Sequence, residues 1–180
     1  MDNESKFDDG SSIPTLGTGG VTFVDFNASL TGRFKELNVS WLKKYFVVEP
    51  IDEIMLSDPQ TYILDKEGHI FFAKLGNEAV GTFALMKTGD GVYELGKMAV
   101  DEKFRDRKIG SQMLAYCLEK AKELGALKVT LYSNTRLENA LHLYRKFGFM
   151  EVPLGSSEYK RSNIKMEINL SHDPSFPGKI

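Results

Sequence analysis

The chain has 180 residues, 42% hydrophobic and 27% charged, and its 23 Lys and Arg against 25 Asp and Glu leave a net charge of -2. That length favours a single domain whose core needs no disulfide staple, and that charge balance supplies no basic field for nucleic acid or an anionic membrane. The single cysteine, Cys117, excludes an intrachain disulfide framework and a cysteine metal cluster.

Residues 1–20 are acidic and rich in Gly and Ser, with few large apolar groups, and read as a flexible tail rather than a secretory signal. No apolar run approaches the roughly 18 residues of a membrane span, so a cytoplasmic protein without a membrane partner is expected. V-T-F-V-D-F (21–26) reads as a first strand. From Ser29 to Phe46, Phe34, Leu37, Trp41, Leu42 and Tyr45 fall at three- and four-residue spacing, which predicts an amphipathic helix. A shorter helix is expected over Ile51 to Leu56, ending before Pro59. Strands over 69–75, 79–87 and 92–100, joined by Gly76-Asn77 and Gly89-Asp90-Gly91, predict an antiparallel meander.

The second half changes rhythm. Ile109, Met113, Tyr116, Cys117, Ala121 and Leu124 form a helical stripe closed by Gly125, and 128–132 reads as a strand. Thr135 with Glu138 reads as a capping box opening a helix that carries Leu137, Leu141 and Tyr144 and stops at Gly148. Strands near Phe149–Val152 and Ile164–Leu170 follow, and 171–180 reads as a second tail. Strand, helix, strand, helix, strand implies a partly parallel sheet with helices packed on it, an α/β or α+β domain over residues 21–170.

Chemistry concentrates in M-A-V-D-E-K-F-R-D-R-K-I-G-S (98–111), where a strand ends in a charged turn and a helix begins. Free N–H groups at a helix N-terminus suit a phosphate, and Arg105, Arg107 and Lys108 add charge while Gly110 permits close approach; a solvated connecting turn is the plainer alternative. Glu94, in an otherwise apolar strand, either faces solvent or is kept for chemistry. Gly96 beside it suggests a bulge, which leaves open whether Glu94 and Lys97 share a face. Tyr144 sits on an apolar stripe, Asn134 at a strand end where it could cap the next helix, and Asn139 in that helix's first turn. His69, His142 and His172 lack metal-ligand spacing, so no metal is assigned, and Cys117 reads as an inert core residue.

Together, E-L-G-K-M-A-V, R-D-R-K-I-G-S-Q-M-L and N-A-L-H-L-Y-R-K-F-G-F resemble the layout of the GNAT superfamily of N-acetyltransferases over residues 21–170. Arg105-x-x-Lys108-x-Gly110-Ser111 is similar to the family's diphosphate loop, with Lys108 in place of its first glycine. A-L-H-L-Y-R-K-F-G-F looks like its second signature, and residues 36–52 resemble a bacterial subgroup.

The resemblance implies a mostly antiparallel sheet of about seven strands with about four helices, a fold of sheet and packed helices. It implies acetyl-CoA as cosubstrate, held by Met98, Ala99 and Val100 along the pantetheine arm, by Arg105, Arg107, Lys108, Ile109, Gly110 and Ser111 at the diphosphate, and by Asn134 and Asn139 nearby. An amine with a pKa near 10.4 is no more than about 0.1% neutral at pH 7; the resemblance makes Glu94 the base that deprotonates it and Tyr144 the acid for the leaving thiolate. The expected acceptor is a small or amino-acid-like amine, attracted by Glu49, Asp52 and Glu53 if these do not simply form a solvated acidic loop. A peptide N-terminal or lysine acetyltransferase and a non-catalytic acetyl-CoA-binding module are the alternatives. No nucleic-acid partner is expected, and a homodimer is compatible with this reading.

Overall fold

The computed structural model describes residues 20–171, so the tails expected at 1–20 and 171–180 lie, but for Gly20 and Ser171, outside the described residues, as does His172. The first half forms β1 (Thr22–Asp25), α1 (Thr31–Tyr45), α2 (Pro50–Ser57), the single turn α3 (Pro59–Tyr62), β2 (His69–Leu75), β3 (Glu78–Gly89) and β4 (Val92–Val100). The second half forms α4 (Ile109–Glu123), β5 (Lys128–Ser133), α5 (Glu138–Lys146), β6 (Met150–Val152) and β7 (Ile164–Asn169). The seven strands make one sheet in the order β1-β2-β3-β4-β5-β7-β6. Among the described strand pairs only β4 and β5 run parallel, and the connection between them crosses over through α4; the other pairs are antiparallel.

Period-two alternation gives each face of the sheet its own core. Phe71, Phe83, Leu85, Tyr93, Leu95, Val129 and Leu131 pack against Ile109, Met113, Leu114, Cys117 and Ala121 of α4 and Leu141 of α5. On the opposite face Ile70, Phe72, Ala84 and Ala99 meet Phe34, Leu37 and Leu42 of α1 and Leu56 of α2. Each fully buried Leu, Ile, Val, Phe or Met side chain among them contributes on the order of 1.5–3 kcal/mol. The Gly76 turn between β2 and β3 and the Asp90-Gly91 turn between β3 and β4 use glycines at φ 57° and 65°, a region side chains avoid.

Three local expectations change. The first helix starts at Thr31, because Ala28–Leu30 forms a 3-10 turn whose start is capped by the Asn27 side chain accepting from Ser29 N. The Thr135–Glu138 capping box does not form: α5 begins at Glu138 behind Leu137, and Thr135 instead exchanges hydrogen bonds with Asn163 on the way into β7. Asn134 caps no helix; its Oδ1 accepts from Arg136 N within the turn, and its Nδ2 donates to Arg161 O at 2.7 Å.

Candidate active site

Two irregularities in β4 create the site. Thr82 pairs with Ala99 and Ala84 with Gly96, so Phe83 stands against two residues, Lys97 and Met98, and the strand carries a bulge with Lys97 at φ 50°. The bulge inverts the alternation: Tyr93 and Leu95 join the α4 core, as do Met98 and Val100, whereas Ala99 joins the α1 core. Glu94 and Lys97 therefore share the α1 face, which strict alternation forbids.

The second irregularity is divergence. β4 and β5 pair only from Val92↔Lys128 to Glu94↔Thr130, after which β5 continues with β7 as far as Ser133↔Ile164. The splayed strands leave a cleft of about 250 Å³, lined along β4 by Glu94 and residues 95–100, by Leu131 to Asn134 of β5 and its exit, by Gly110, and by Leu143 and Tyr144 of α5. Trp41, Leu42 and Phe46 of the α1 end wall it on the other face, with Asp52, Tyr159 and Arg161.

Glu94 makes no hydrogen bond or ion pair with the described residues, and burial raises its carboxyl from 4.5 to about 7 against the opposing charge of Lys97. Glu158 pushes it further up and Lys165 pulls it down. Tyr144 is likewise pushed up to about 12 by burial, with Cys117 adding to the shift, so its hydroxyl keeps its proton. Cys117 itself is fully buried, and burial drives its thiol up, consistent with an inert core residue.

The other charges of the cleft are committed to one another. The fully buried Asp52 accepts from Lys97 Nζ at 2.9 Å, from both terminal nitrogens of Arg161 at 2.6 and 3.0 Å, and from Glu49 N at 3.0 Å. Burial alone would raise its carboxyl, but Arg161 and Lys97 hold it below its usual value. Glu49 accepts from Arg161 NH1 and Lys160 N, each at 2.8 Å. The Tyr159 ring lies between the two cations, 4.6 Å from each. Glu49 and Asp52 are thus not an open acidic lure for the acceptor, and Glu53 pairs at the surface with Lys35.

The charged turn after β4 passes through a 3-10 turn over Glu102–Phe104 into α4. α4 runs for fifteen residues, and Lys108 stands at its N-cap in the left-handed region, φ 56° and ψ 24°. That conformation accounts for a glycine preference at this position and makes Lys108 a mildly strained substitute. Asp106 is also left-handed at φ 62°. Arg105, Lys108, Ile109 and Gly110 line a second hollow that meets the cleft at Val100 and Gly110. Arg107 lies over the Phe104 ring at 5.4 Å, Ser111 is half-buried in the first turn of α4, and Asn139 is exposed on α5; none of the three lines either hollow. Arg105 donates to Tyr45 Oη, tying this turn to the end of α1.

Sequence reasoning overlooked Trp41, Phe46, Tyr159 and Arg161. The last two sit in the irregular stretch between β6 and β7, where no periodicity marks them. E-P-I-D (49–52) did carry a helix-start signal, Pro in the first turn with an acid three residues after Glu49.

The cleft between the splayed strands β4 and β5 meets the N-terminus of α4 at Gly110 and carries the half-buried Glu94 carboxyl, which has no hydrogen-bond partner among the described residues. The sequence profile of the acetyltransferase (GNAT) family matches residues 34–149, and the chain belongs to that family. It is an N-acetyltransferase with acetyl-CoA as its acetyl donor. The chain is 33% identical over 104 residues to the uncharacterized N-acetyltransferase YvbK of Bacillus subtilis (strain 168), covering 56% of this chain and 67% of that protein. It is 29% identical over 94 residues to the aminoalkylphosphonate N-acetyltransferase of Salmonella typhimurium (strain LT2), covering 49% of this chain and 61% of that one. Its fold matches a GNAT-family acetyltransferase from Staphylococcus aureus Mu50 with a TM-score of 0.74 at 23% identity, over 84% of this chain and 99% of the other.

The residues present fit that donor: a cleft edge on β4 without a strand partner for the pantetheine arm, and a helix N-terminus with cationic neighbours for the diphosphate. A Cβ built at Gly110 would find its nearest atom, Leu143 Cδ2, only at 3.9 Å, so the space there is left free by the protein itself.

Proposed function

We propose that the domain spanning residues 21–170 moves the acetyl group of acetyl-CoA directly to the primary amine of a small molecule, with both substrates held together in the cleft. The observation that carries this is Glu94, a half-buried carboxyl with no partner among the described residues, raised to about 7 where β4 and β5 part. A base of that pKa is ionised above neutrality and accepts the ammonium proton, through a water, as nitrogen approaches the acetyl carbon. The donor supplies an activated thioester. Backbone N–H groups near Met98 and Val100, on the unpaired edge of β4, stabilise negative charge developing on the acetyl oxygen. Tyr144 keeps its proton and donates it toward the departing sulfur. Met98, Ala99 and Val100 hold the pantetheine arm in the manner of an added strand, with Asn134 at the slot's far wall. N–H groups of residues 108–110, with the side chains of Arg105 and Lys108, hold the diphosphate.

Two further points support a small acceptor. The cleft is about 250 Å³ and is closed at one end by the Asp52, Lys97 and Arg161 cluster. The Salmonella relative is named for an acceptor that is itself a small primary amine. The test is thiol release from acetyl-CoA across a panel of primary amines, with thermal unfolding run beside it. Acetyl-CoA at 100 times its Kd should add about 2.7 kcal/mol of stability, and thiol should appear only when an amine is present. Stabilisation without turnover on any amine would leave a binding module instead.

A further inference from the structure

An amine site is only part of an acceptor's description, and the charges around Glu94 specify what else the acceptor can carry. At that end of the cleft stand two further carboxylates, Glu49 and Asp52, and two cations, Lys97 and Arg161. They cancel, and not loosely: Asp52 is fully buried and takes four hydrogen bonds, while Lys97 is nearly fully buried and divides its ammonium between Asp52 and the Tyr159 hydroxyl, at 2.9 and 3.2 Å. Among the described residues Lys97 and Arg161 are the cations that line the cleft, so an acid group bound inside it would need one of them; Arg136, over the Phe46 ring at 5.4 Å, stands outside that lining. Recruiting Arg161 would strip partners from two buried carboxylates, and recruiting Lys97 would strip one from Asp52. The lining amide of Asn38 is also occupied, donating to Phe34 O at 3.0 Å. Without a hydrogen-bond partner among the described lining residues are the Glu94 carboxyl and the hydroxyls of Ser133, Ser162 and Tyr144, and Trp41, Leu42 and Phe46 add apolar surface.

We propose that the acceptor is a primary amine on an apolar, aromatic or branched-alkyl body bearing no carboxylate, phosphonate or phosphate. Its ammonium pairs with Glu94 and its body lies against Trp41 and Phe46. Glu49, Asp52, Lys97 and Arg161 set this specificity by neutralising one another, which removes the amino-acid-like acceptor from the class expected from sequence. The inference rests on the amine-transferase reading above and narrows it.

The test compares amines with their α-carboxylated counterparts: phenethylamine against phenylalanine, and isopentylamine against leucine, by acetyl-CoA-dependent thiol release. The expected result is a kcat/KM at least 100-fold higher for each amine than for its amino acid. Asp52→Asn leaves Lys97 and Arg161 in excess by one charge, and should shrink that ratio at least tenfold by raising the amino-acid rate. Glu49→Gln, at the edge of the cluster, should do the same to a smaller extent if Asp52→Asn fails to fold, as checked by circular dichroism. Equal rates for amine and amino acid in wild type, or ratios that neither variant changes, would overturn the proposal. So would turnover confined to acid-bearing acceptors, which would leave the transferase reading intact. Failure of every amine, acid-bearing or not, would remove that reading as well.

Discussion

Glu94 has its carboxyl raised from 4.5 to about 7 because burial disfavours its charge more than Lys97 favours it, so between those values the folded chain keeps a proton that the unfolded chain has released. Stability from this group is therefore greatest below about pH 4.5 and falls as pH rises toward about 7, by roughly 3 kcal/mol in all. Glu94→Gln removes that cost. Urea denaturation should show the variant more stable than wild type at pH 8 and little changed at pH 5, while its activity falls. The partner group behaves differently: Tyr144→Phe deletes a hydroxyl whose proton is held well above neutrality, and should lower kcat by about 10²-fold or more with acetyl-CoA affinity unchanged.

At the scale of elements, the N-terminus of α4 is where fold and cofactor make opposite demands. Gly110 has space for a Cβ, the nearest atom being 3.9 Å away, and alanine is the better helix former by about 1 kcal/mol. Gly110→Ala should leave the melting temperature unchanged or raised, yet weaken acetyl-CoA at least tenfold in a calorimetric titration; unaltered affinity would move the diphosphate elsewhere. Lys108→Gly relieves a left-handed side chain and should raise unfolding stability by about 1 kcal/mol in urea. The elements themselves were legible because period sets them: the α1 and α4 stripes and the 69–100 meander follow from apolar spacing and glycine turns. Thr135 misled because a capping signature competes with any tertiary partner, and here Asn163 supplied one. The Glu94–Lys97 relationship was unreadable for a different reason: parity across a bulge depends on its register with Phe83, which lies on another strand.

Across the described residues, the sheet separates two cores and opens between β4 and β5, where both halves of the chain line a cleft around Glu94, a carboxyl without a partner among those residues. The β4 wall of that opening and the turn after it were readable in sequence because residues 94–111 form one contiguous run, whereas the facing wall comes from Leu131 to Asn134, Leu143 and Tyr144 further along the chain. The wall around Asp52 was not readable, since α1, the start of α2, β4 and the 159–162 stretch converge there through Asp52 and Arg161, 109 positions apart. The measurement that bears most directly on the account is the pH dependence of kcat/KM for phenethylamine in wild type and Glu94→Gln. Wild type should rise tenfold per pH unit and level off above about 7, where Glu94 is ionised. The variant should be slower by about 10²–10⁴ at pH 7 and keep climbing toward the amine's own pKa of about 10.4. Two profiles of the same shape and height would contradict the assignment of Glu94 as the base.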